Sequence, residues 1–369
     1  MKKYRIALYP GDGIGPEVIA QAVRVLDAVQ LRIGEETKSP GSGTAELSNQ
    51  SFSLEYDSIP WGADYWEEHG SVVPPDFLSI LEGYDAILMG AVGDPARIPD
   101  HVTVAPLIAI RQTFDQYAAV RPARLYPGVP CPLGIADHED IDLVVVRENS
   151  EGEYVDNGGR FKQGTQDEVA TQTAVHTRKG IERILRFAFD LAAARRQHLT
   201  MVTKSNAMKY GFVLWDEVWE EVRQEYPSIA TEKQHVDAAA MNFVRRPYEL
   251  DVVVASNLFA DILSDLAGGV TGSLGLAPSA NINPDRTYPS LFEPVHGSAP
   301  DITGKGIANP IGAVLSAATM VEWLGESQAA AAMRQAVEAT LVQGARTMDL
   351  GGSLTTVEMA DAIISNLGT

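Results

Sequence analysis

Short apolar runs of strand length alternate along this chain with longer segments whose apolar residues recur every three or four positions. No other feature constrains the fold as much, because strands separated by helices pack as α/β units on a largely parallel sheet. Strands are expected at Arg5 to Tyr9, Ala86 to Met89, Leu143 to Val146, Thr200 to Thr203 and Val252 to Ala255. Helices are expected at Pro16 to Ala28, Lys179 to Arg195, Val213 to Glu225, Leu258 to Leu266, Gly312 to Leu324 and Gln328 to Gln343. Gly34 to Gln50, rich in Ser, Gly, Glu and Thr, follows neither period and reads as an exposed, mobile loop. The 369 residues suffice for two domains at roughly 150 residues each.

The charge narrows the range of partners. Acidic residues number 49 and basic residues 29, a formal charge of -20. Such a field repels phosphate backbones and anionic membranes, so neither nucleic acid nor a membrane is an expected partner. It also repels small anions, so any anion site must be a local concentration of arginine or metal. One cysteine, Cys131, rules out an intrachain disulfide and a four-cysteine zinc site, and it suits a reducing, cytoplasmic setting. The first apolar run ends at Tyr9, too short for a secretory core, so no signal peptide is expected. The charge-free run from Leu266 to Pro284 is broken by Gly268, Gly269, Gly272, Gly275 and Pro278, and reads as loop rather than a membrane span.

Several motifs carry chemistry. Gly11-Asp12-Gly13-Ile14-Gly15-Pro16-Glu17 follows a strand and opens a helix, but Pro16 stands where a dinucleotide fingerprint needs glycine, which argues against a Rossmann domain. What remains is a sharp glycine turn, either structural or lining a ligand. Arg111, Arg121 and Arg147 are each unremarkable alone, and together they form an anion grip if they converge in space. Arg147 ends a strand, and in open α/β sheets ligands collect there. Asp261 and Asp265 lie four apart on one helix face, and Asp237 follows a further strand. They either pair with lysines or supply oxygen ligands, a donor set suited to Mg²⁺ or Mn²⁺ rather than zinc. Lys204 ends a strand, where partial desolvation fits a lysine for use as a base. Tyr154 either packs with its hydroxyl satisfied or donates a proton, and His296 sits in a Gly- and Pro-containing loop where a structural role is the default.

Together these segments, with Glu293 to Ile302 and Asn309-Pro310, resemble the β-decarboxylating dehydrogenases: isocitrate, isopropylmalate, and tartrate or D-malate dehydrogenases. The resemblance spans nearly the whole chain and implies a two-domain α/β fold, not a Rossmann domain, with the active site in the cleft between domains and completed across a homodimer. The large, cofactor-binding domain would comprise residues 1–115 and 272–369, and the small domain residues 116–271. It further implies that Arg111, Arg121 and Arg147 bind the substrate carboxylate, and that Asp237, Asp261 and Asp265 hold Mn²⁺ or Mg²⁺, with K⁺ a further candidate cofactor. Lys204, Asp237 and Tyr154 would be catalytic, with Lys204 and Asp237 contributed by the partner subunit. Gly13, Ile14, His296, Gly297, Ser298, Ala299, Asp301, Ile302 and Asn309 would bind the cofactor. Asp301-Ile302 stands where NADP-dependent isocitrate dehydrogenases carry lysine and tyrosine, and an acidic side chain favours NAD by accepting from the ribose hydroxyls.

Ala105 and Leu107 replace the Ser and Asn that hold the third carboxylate in isocitrate enzymes, which disfavours isocitrate. Leu107, Ile108 and Ile110 leave isopropylmalate open. Ile98 to His101, Phe114 to Tyr117, Tyr126 to Cys131 and Val254 to Asn257 look more like the tartrate and D-malate enzymes. The expected function is therefore NAD- and Mn²⁺- or Mg²⁺-dependent oxidation of a C4 2-hydroxy dicarboxylic acid, with β-decarboxylation; D-malate would give pyruvate and CO₂. The alternatives are 3-isopropylmalate dehydrogenation and a non-catalytic metabolite-binding protein on the same fold.

Overall fold

The computed structural model of the chain describes residues 2–36, 51–134 and 141–368. In chain order these hold β1 (Lys2–Gly11), α1 (Gly15–Glu36), β2 (Phe52–Ser58), α2 (Ala63–His69), α3 (Phe77–Glu82), β3 (Ala86–Ala91), α4 (Asp100–Thr103), α5 (Ala105–Thr113) and β4 (Ala118–Arg124). There follow β5 (Asp142–Glu148), β6 (Gly158–Phe161), β7 (Val169–Gln172), α6 (Arg178–Ala193), β8 (His198–Thr203), α7 (Gly211–Val222), β9 (Ala230–His235), α8 (Val236–Arg245), β10 (Val252–Ala255) and α9 (Asn257–Val270). The remaining elements are β11 (Pro278–Ile282), β12 (Ser290–Pro294), α10 (Ile311–Trp323), α11 (Ser327–Val342) and α12 (Thr356–Ser365).

Ten strands form one sheet in the order β2-β1-β3-β12-β11-β4-β5-β10-β8-β9, while β6 and β7 make a separate hairpin. Both flanks are parallel, and the centre, from β12 through β11 and β4 to β5, is antiparallel. Strands from residues 116–271 lie together on one side, those from the rest of the chain on the other, and the β11–β4 pairing joins the two groups.

Alternation along each strand divides the core between the two faces. In β5, Leu143 and Val145 join the large cluster with α1 and α8 to α12, whereas Val144 and Val146 pack beneath α6 and α7. In β1, Ile6 faces the large cluster and Ala7 and Tyr9 face a third, built with α2, α3 and α5. Helix α6 buries Ile181, Ile184, Leu185, Ala188, Phe189 and Ala192, a single stripe at helical spacing, and starts where the Thr177 side chain accepts from the Gly180 N–H.

Two expectations need correction. Helix α1 continues past Ala28 because its apolar stripe does, through Val29 and Ile33, so Gly34–Glu36 are helical rather than loop; the rest of that expected loop, residues 37–50, lies outside the described residues. The charge-free run from Leu266 to Pro284 is not mainly loop either. It ends α9, makes a short 3₁₀ turn at Leu274–Leu276, and becomes the wholly buried β11, with Pro278 at the strand's first position, where a missing N–H is tolerated. No helix of the described residues is long and apolar enough to cross a membrane.

Candidate active site

A cleft of about 900 Å³ opens at the carboxyl ends of β3, β5 and β12. Its floor is set by the antiparallel β4–β5 pair, in which Ala119 lies opposite Arg147 and Arg121 opposite Val145. Arg121 and Arg147 are therefore diagonal neighbours on one face of the sheet. Arg111 reaches the same floor from the last turn of α5, and all three arginines are buried. The convergence that the sequence left open is present.

Arg111 is held by β12, and Arg121 and Arg147 are both held by α9. Arg111 Nη2 donates to Glu293 Oε1 at 3.0 Å, and Asn281 Nδ2 donates to the same oxygen at 2.8 Å. Arg121 Nη1 donates to Asp261 at 3.1 Å and to Ser264 Oγ at 2.7 Å. Arg147 donates from Nε and Nη2 to Asn257 Oδ1, at 3.0 and 2.6 Å, and from Nη1 to Asp261. Tyr154 Oη donates to the other Asp261 oxygen at 2.6 Å, with the Arg147 guanidinium 5.1 Å from its ring centroid. Arg111 Nε and Arg121 Nε are buried without a partner among the described residues. Within hydrogen-bond reach, three guanidiniums share two carboxylates, Glu293 and Asp261, which leaves unused donors for an incoming anion.

The electrostatics follow from this packing. Burial lowers the pKa of Arg147, and Arg121 and Arg111 press the same way, down to about 9, so it stays charged at neutral pH. Burial also lowers that of Arg111, against the pull of Glu293. For Asp261, burial works against ionisation but Arg147, Arg121 and the Tyr154 hydroxyl outweigh it, so its pKa lies below the ordinary aspartate value. Asp265, one turn on and 3.8 Å from Arg121, goes the other way because burial, with the like charge of Asp261, outweighs Arg121 and Arg147. Tyr154 is pushed up to about 12, by burial and then by its bond to Asp261, so it keeps its proton at neutral pH.

Lys204 and Asp237 stand apart. Lys204, just past the end of β8, donates to Asp237 Oδ1 at 2.6 Å, and Asp237 sits in the first turn of α8 with its side chain mostly exposed. Neither lines the cleft. Asp216 on α7 fixes the backbone around Lys204 by accepting from Thr203 Oγ1 and Ser205 Oγ, both at 2.8 Å, and from Lys233 Nζ at 2.9 Å. Asp261 and Asp265 are hard oxygen donors suited to Mg²⁺ or Mn²⁺, yet among the described residues no group of three or more His, Cys, Asp or Glu gathers within the single chain.

The dinucleotide residues expected from the sequence fall on two adjoining loops. Gly13 has φ of 61°, a Cβ there would meet Ser298 O at 2.0 Å, and Ile14 N donates to that same oxygen at 2.9 Å, so the glycine turn packs on the loop after β12. His296 and Gly297 line the cleft, and His296 Nε2 is buried with no partner among the described residues, an acceptor or donor open to a ligand. Burial lowers the pKa of His296. Asp301 is exposed and Ile302 half-buried on the turn beyond Ala299. Asn309 is engaged at both ends, donating to Asp349 at 3.0 Å and accepting from Ile311 N at 3.1 Å. Of the nine residues expected to bind the cofactor, His296 and Gly297 are the two that line the cleft.

Glu293, Asn257 and Ser264 were assigned no role from the sequence, though all three lie within its motifs. Asn257 carries the one available signal, a polar residue at a strand-to-helix junction. Part of the cleft lining is apolar, formed by Val104, Ala105, Leu107 and Ile108, with Arg111 one turn on from Leu107 in α5.

The chain matches the isocitrate/isopropylmalate dehydrogenase family over residues 5–363. It is 49% identical to a probable tartrate dehydrogenase/decarboxylase of Agrobacterium vitis, over 98% of this chain and 97% of that one. It is 47% identical to the D-malate dehydrogenase (decarboxylating) of Escherichia coli strain K12, over 98% of each. Among solved structures, isocitrate dehydrogenase from Methylococcus capsulatus superposes with a TM-score of 0.84 at 36% identity, covering 99% of this chain and all of that one.

Proposed function

The chain belongs to the isocitrate/isopropylmalate dehydrogenase family, and from that premise we propose that it oxidises and decarboxylates a C4 2-hydroxy dicarboxylic acid, tartrate or D-malate, with NAD as acceptor. The names of its relatives support oxidative decarboxylation of a hydroxy acid. One observation carries the reading: three buried arginines converge on the cleft floor beside Asp261 and Tyr154. That floor concentrates cationic donors in a protein of net charge -20, as a dicarboxylate site requires.

In this account Arg111, Arg121 and Arg147 grip the substrate carboxylates and fix its orientation. Asp261 and Asp265 would hold Mn²⁺ or Mg²⁺, with the partner subunit's Asp237 as third ligand. Such a cation supplies Lewis acidity at the 2-hydroxyl and its neighbouring carboxylate, and NAD supplies the hydride acceptor. Lys204 of the partner subunit takes the hydroxyl proton. Tyr154, protonated at neutral pH, gives its proton to C3 after CO₂ departs. D-malate would yield pyruvate and CO₂. Exposed apolar side chains on α8 and α9, among them Met241, Val244 and Ile262, support burial of that surface against a second copy.

The apolar wall of Val104, Ala105, Leu107 and Ile108 offers nothing to a third carboxylate, and it is also the observation that favours 3-isopropylmalate as a second reading. The test is NADH formation with Mn²⁺ and each acid in turn. Turnover of D-malate or tartrate in preference to 3-isopropylmalate is expected. The reverse preference selects the second reading, and no turnover of any acid leaves a binding protein.

A further inference from the structure

Tyr154 lies in a loop, residues 151–155, that belongs to no strand or helix of the sheet. On one side the loop is tied to α9, the helix that carries Asp261: Asn257 Nδ2 donates to Glu151 O at 3.0 Å, and Leu258 N donates to Glu153 Oε2 at 3.3 Å. On the other side stands the β6–β7 hairpin, whose last residue is Gln172, paired with Gly158. Gln172 Nε2 donates to Glu153 O at 3.1 Å and to Val155 O at 2.7 Å. One primary amide has two N–H groups, and here they take the carbonyls immediately before and after Tyr154. Gln172 also lines the cleft.

We propose that Gln172 is a positioning residue for Tyr154, holding from the hairpin side the loop that α9 holds from the other. The inference rests on the proton-donor reading of Tyr154 given above. In that step the C–C bond to the departing carboxylate breaks, its electron pair forms a C3–H bond with the Tyr154 proton, and the phenolate is reprotonated from solvent. The transfer needs the phenol within hydrogen-bond reach of C3, and a misplacement of order 1 Å costs about 100-fold. Gln172 is exposed, so losing its two bonds returns two carbonyls to water and costs the fold little; the loss falls on the position of Tyr154.

Gln172→Met keeps the length and removes both donors, and Gln172→Lys restores donors by different chemistry. The Met variant is expected to lose about tenfold or more in kcat with D-malate while the KM for the acid holds, because the hydrogen bonds of Gln172 go to Glu153 O and Val155 O and not to the arginines. Its solvent deuterium isotope effect on kcat should rise as proton transfer becomes slower, and Lys should recover both quantities. Unchanged kcat in the Met variant, or a rise in KM with an unchanged isotope effect, would overturn the proposal. A ¹³C label at the tyrosine Cζ, with the Tyr154 signal assigned by Tyr154→Phe, reads the phenol's surroundings with or without turnover. That signal should shift in Gln172→Met and return in Gln172→Lys; a signal that does not move overturns the positioning role. Failure of the unaltered protein to turn over either C4 acid would instead strike the catalytic reading, and the label would still decide where Gln172 acts.

Discussion

The cleft floor and the Lys204–Asp237 pair are built on opposite principles. The three arginines are buried, each oriented by a carboxylate, amide or hydroxyl from another element, and they line a cavity. Lys204 and Asp237 are paired with each other across a strand end and a helix start, partly or mostly exposed, and line no part of that cavity. Within a single chain the arginines line the cleft and Lys204 does not. Under the proposed function, binding and proton abstraction would be separable in this molecule, the first organised by burial and the second dependent on a partner's surface.

The largest effect expected from breaking this contrast is at the exposed side. Lys204→Met should lower kcat by about 10²- to 10⁴-fold, the range of a lost general base, while Mn²⁺ uptake by calorimetry and the KM for D-malate remain near those of the unaltered protein. Equal losses in kcat and metal uptake would mean the lysine belongs to the binding floor. Next in size is the floor itself. Arg121→Leu removes a charge-assisted donor worth about 1.5–3 kcal/mol, so the KM for the acid should rise roughly 10- to 100-fold, and an unchanged KM would detach Arg121 from the substrate.

The smallest effect concerns how the Lys204 region is held. Burial raises the pKa of Asp216, but Lys233, Thr203 and Ser205 outweigh it, so the folded value lies below the ordinary aspartate value of 3.8. A depressed carboxylate adds stability that is present above its unfolded pKa and is lost as pH falls through the folded one. Asp216→Asn should therefore cost about 1 kcal/mol at neutral pH, partial exposure placing it at the low end for such bonds, and the deficit should shrink on acidification below about pH 4. Urea melts at pH 7 and pH 3 check this; a deficit of equal size at both would remove the charge from the explanation.

How much was legible in the sequence follows the same division. Strands with unbroken apolar runs, such as Val252–Ala255, are readable because both faces are buried. The antiparallel centre was not, since β4 carries Arg121, Pro122 and Arg124, and β11 reads Pro-Ser-Ala-Asn-Ile with Ser279 and Asn281 buried and facing polar neighbours. Strand β9, Ala-Thr-Glu-Lys-Gln-His, is the further strand expected before Asp237, but at the sheet edge it has no apolar pattern to mark where it begins. At the site, the three arginines stood out by their neighbours in the chain. Glu293, Asn257 and Gln172 act on partners 17 to 182 residues away, through side-chain pairing or backbone carbonyls, and such contacts leave no local period or spacing.

The account depends most on one site being assembled from two chains, and mixed dimers test that directly. Lys204→Met and Asp265→Asn should each be nearly inactive alone, yet co-assembled they should regain about a quarter of native activity. Half of the dimers would then be mixed, each with one cleft that has an intact Asp265 and an intact lysine from its partner. If lysine and aspartate instead serve the same chain's cleft, no mixture contains an intact site, and activity that stays at the level of the separate variants would contradict the account.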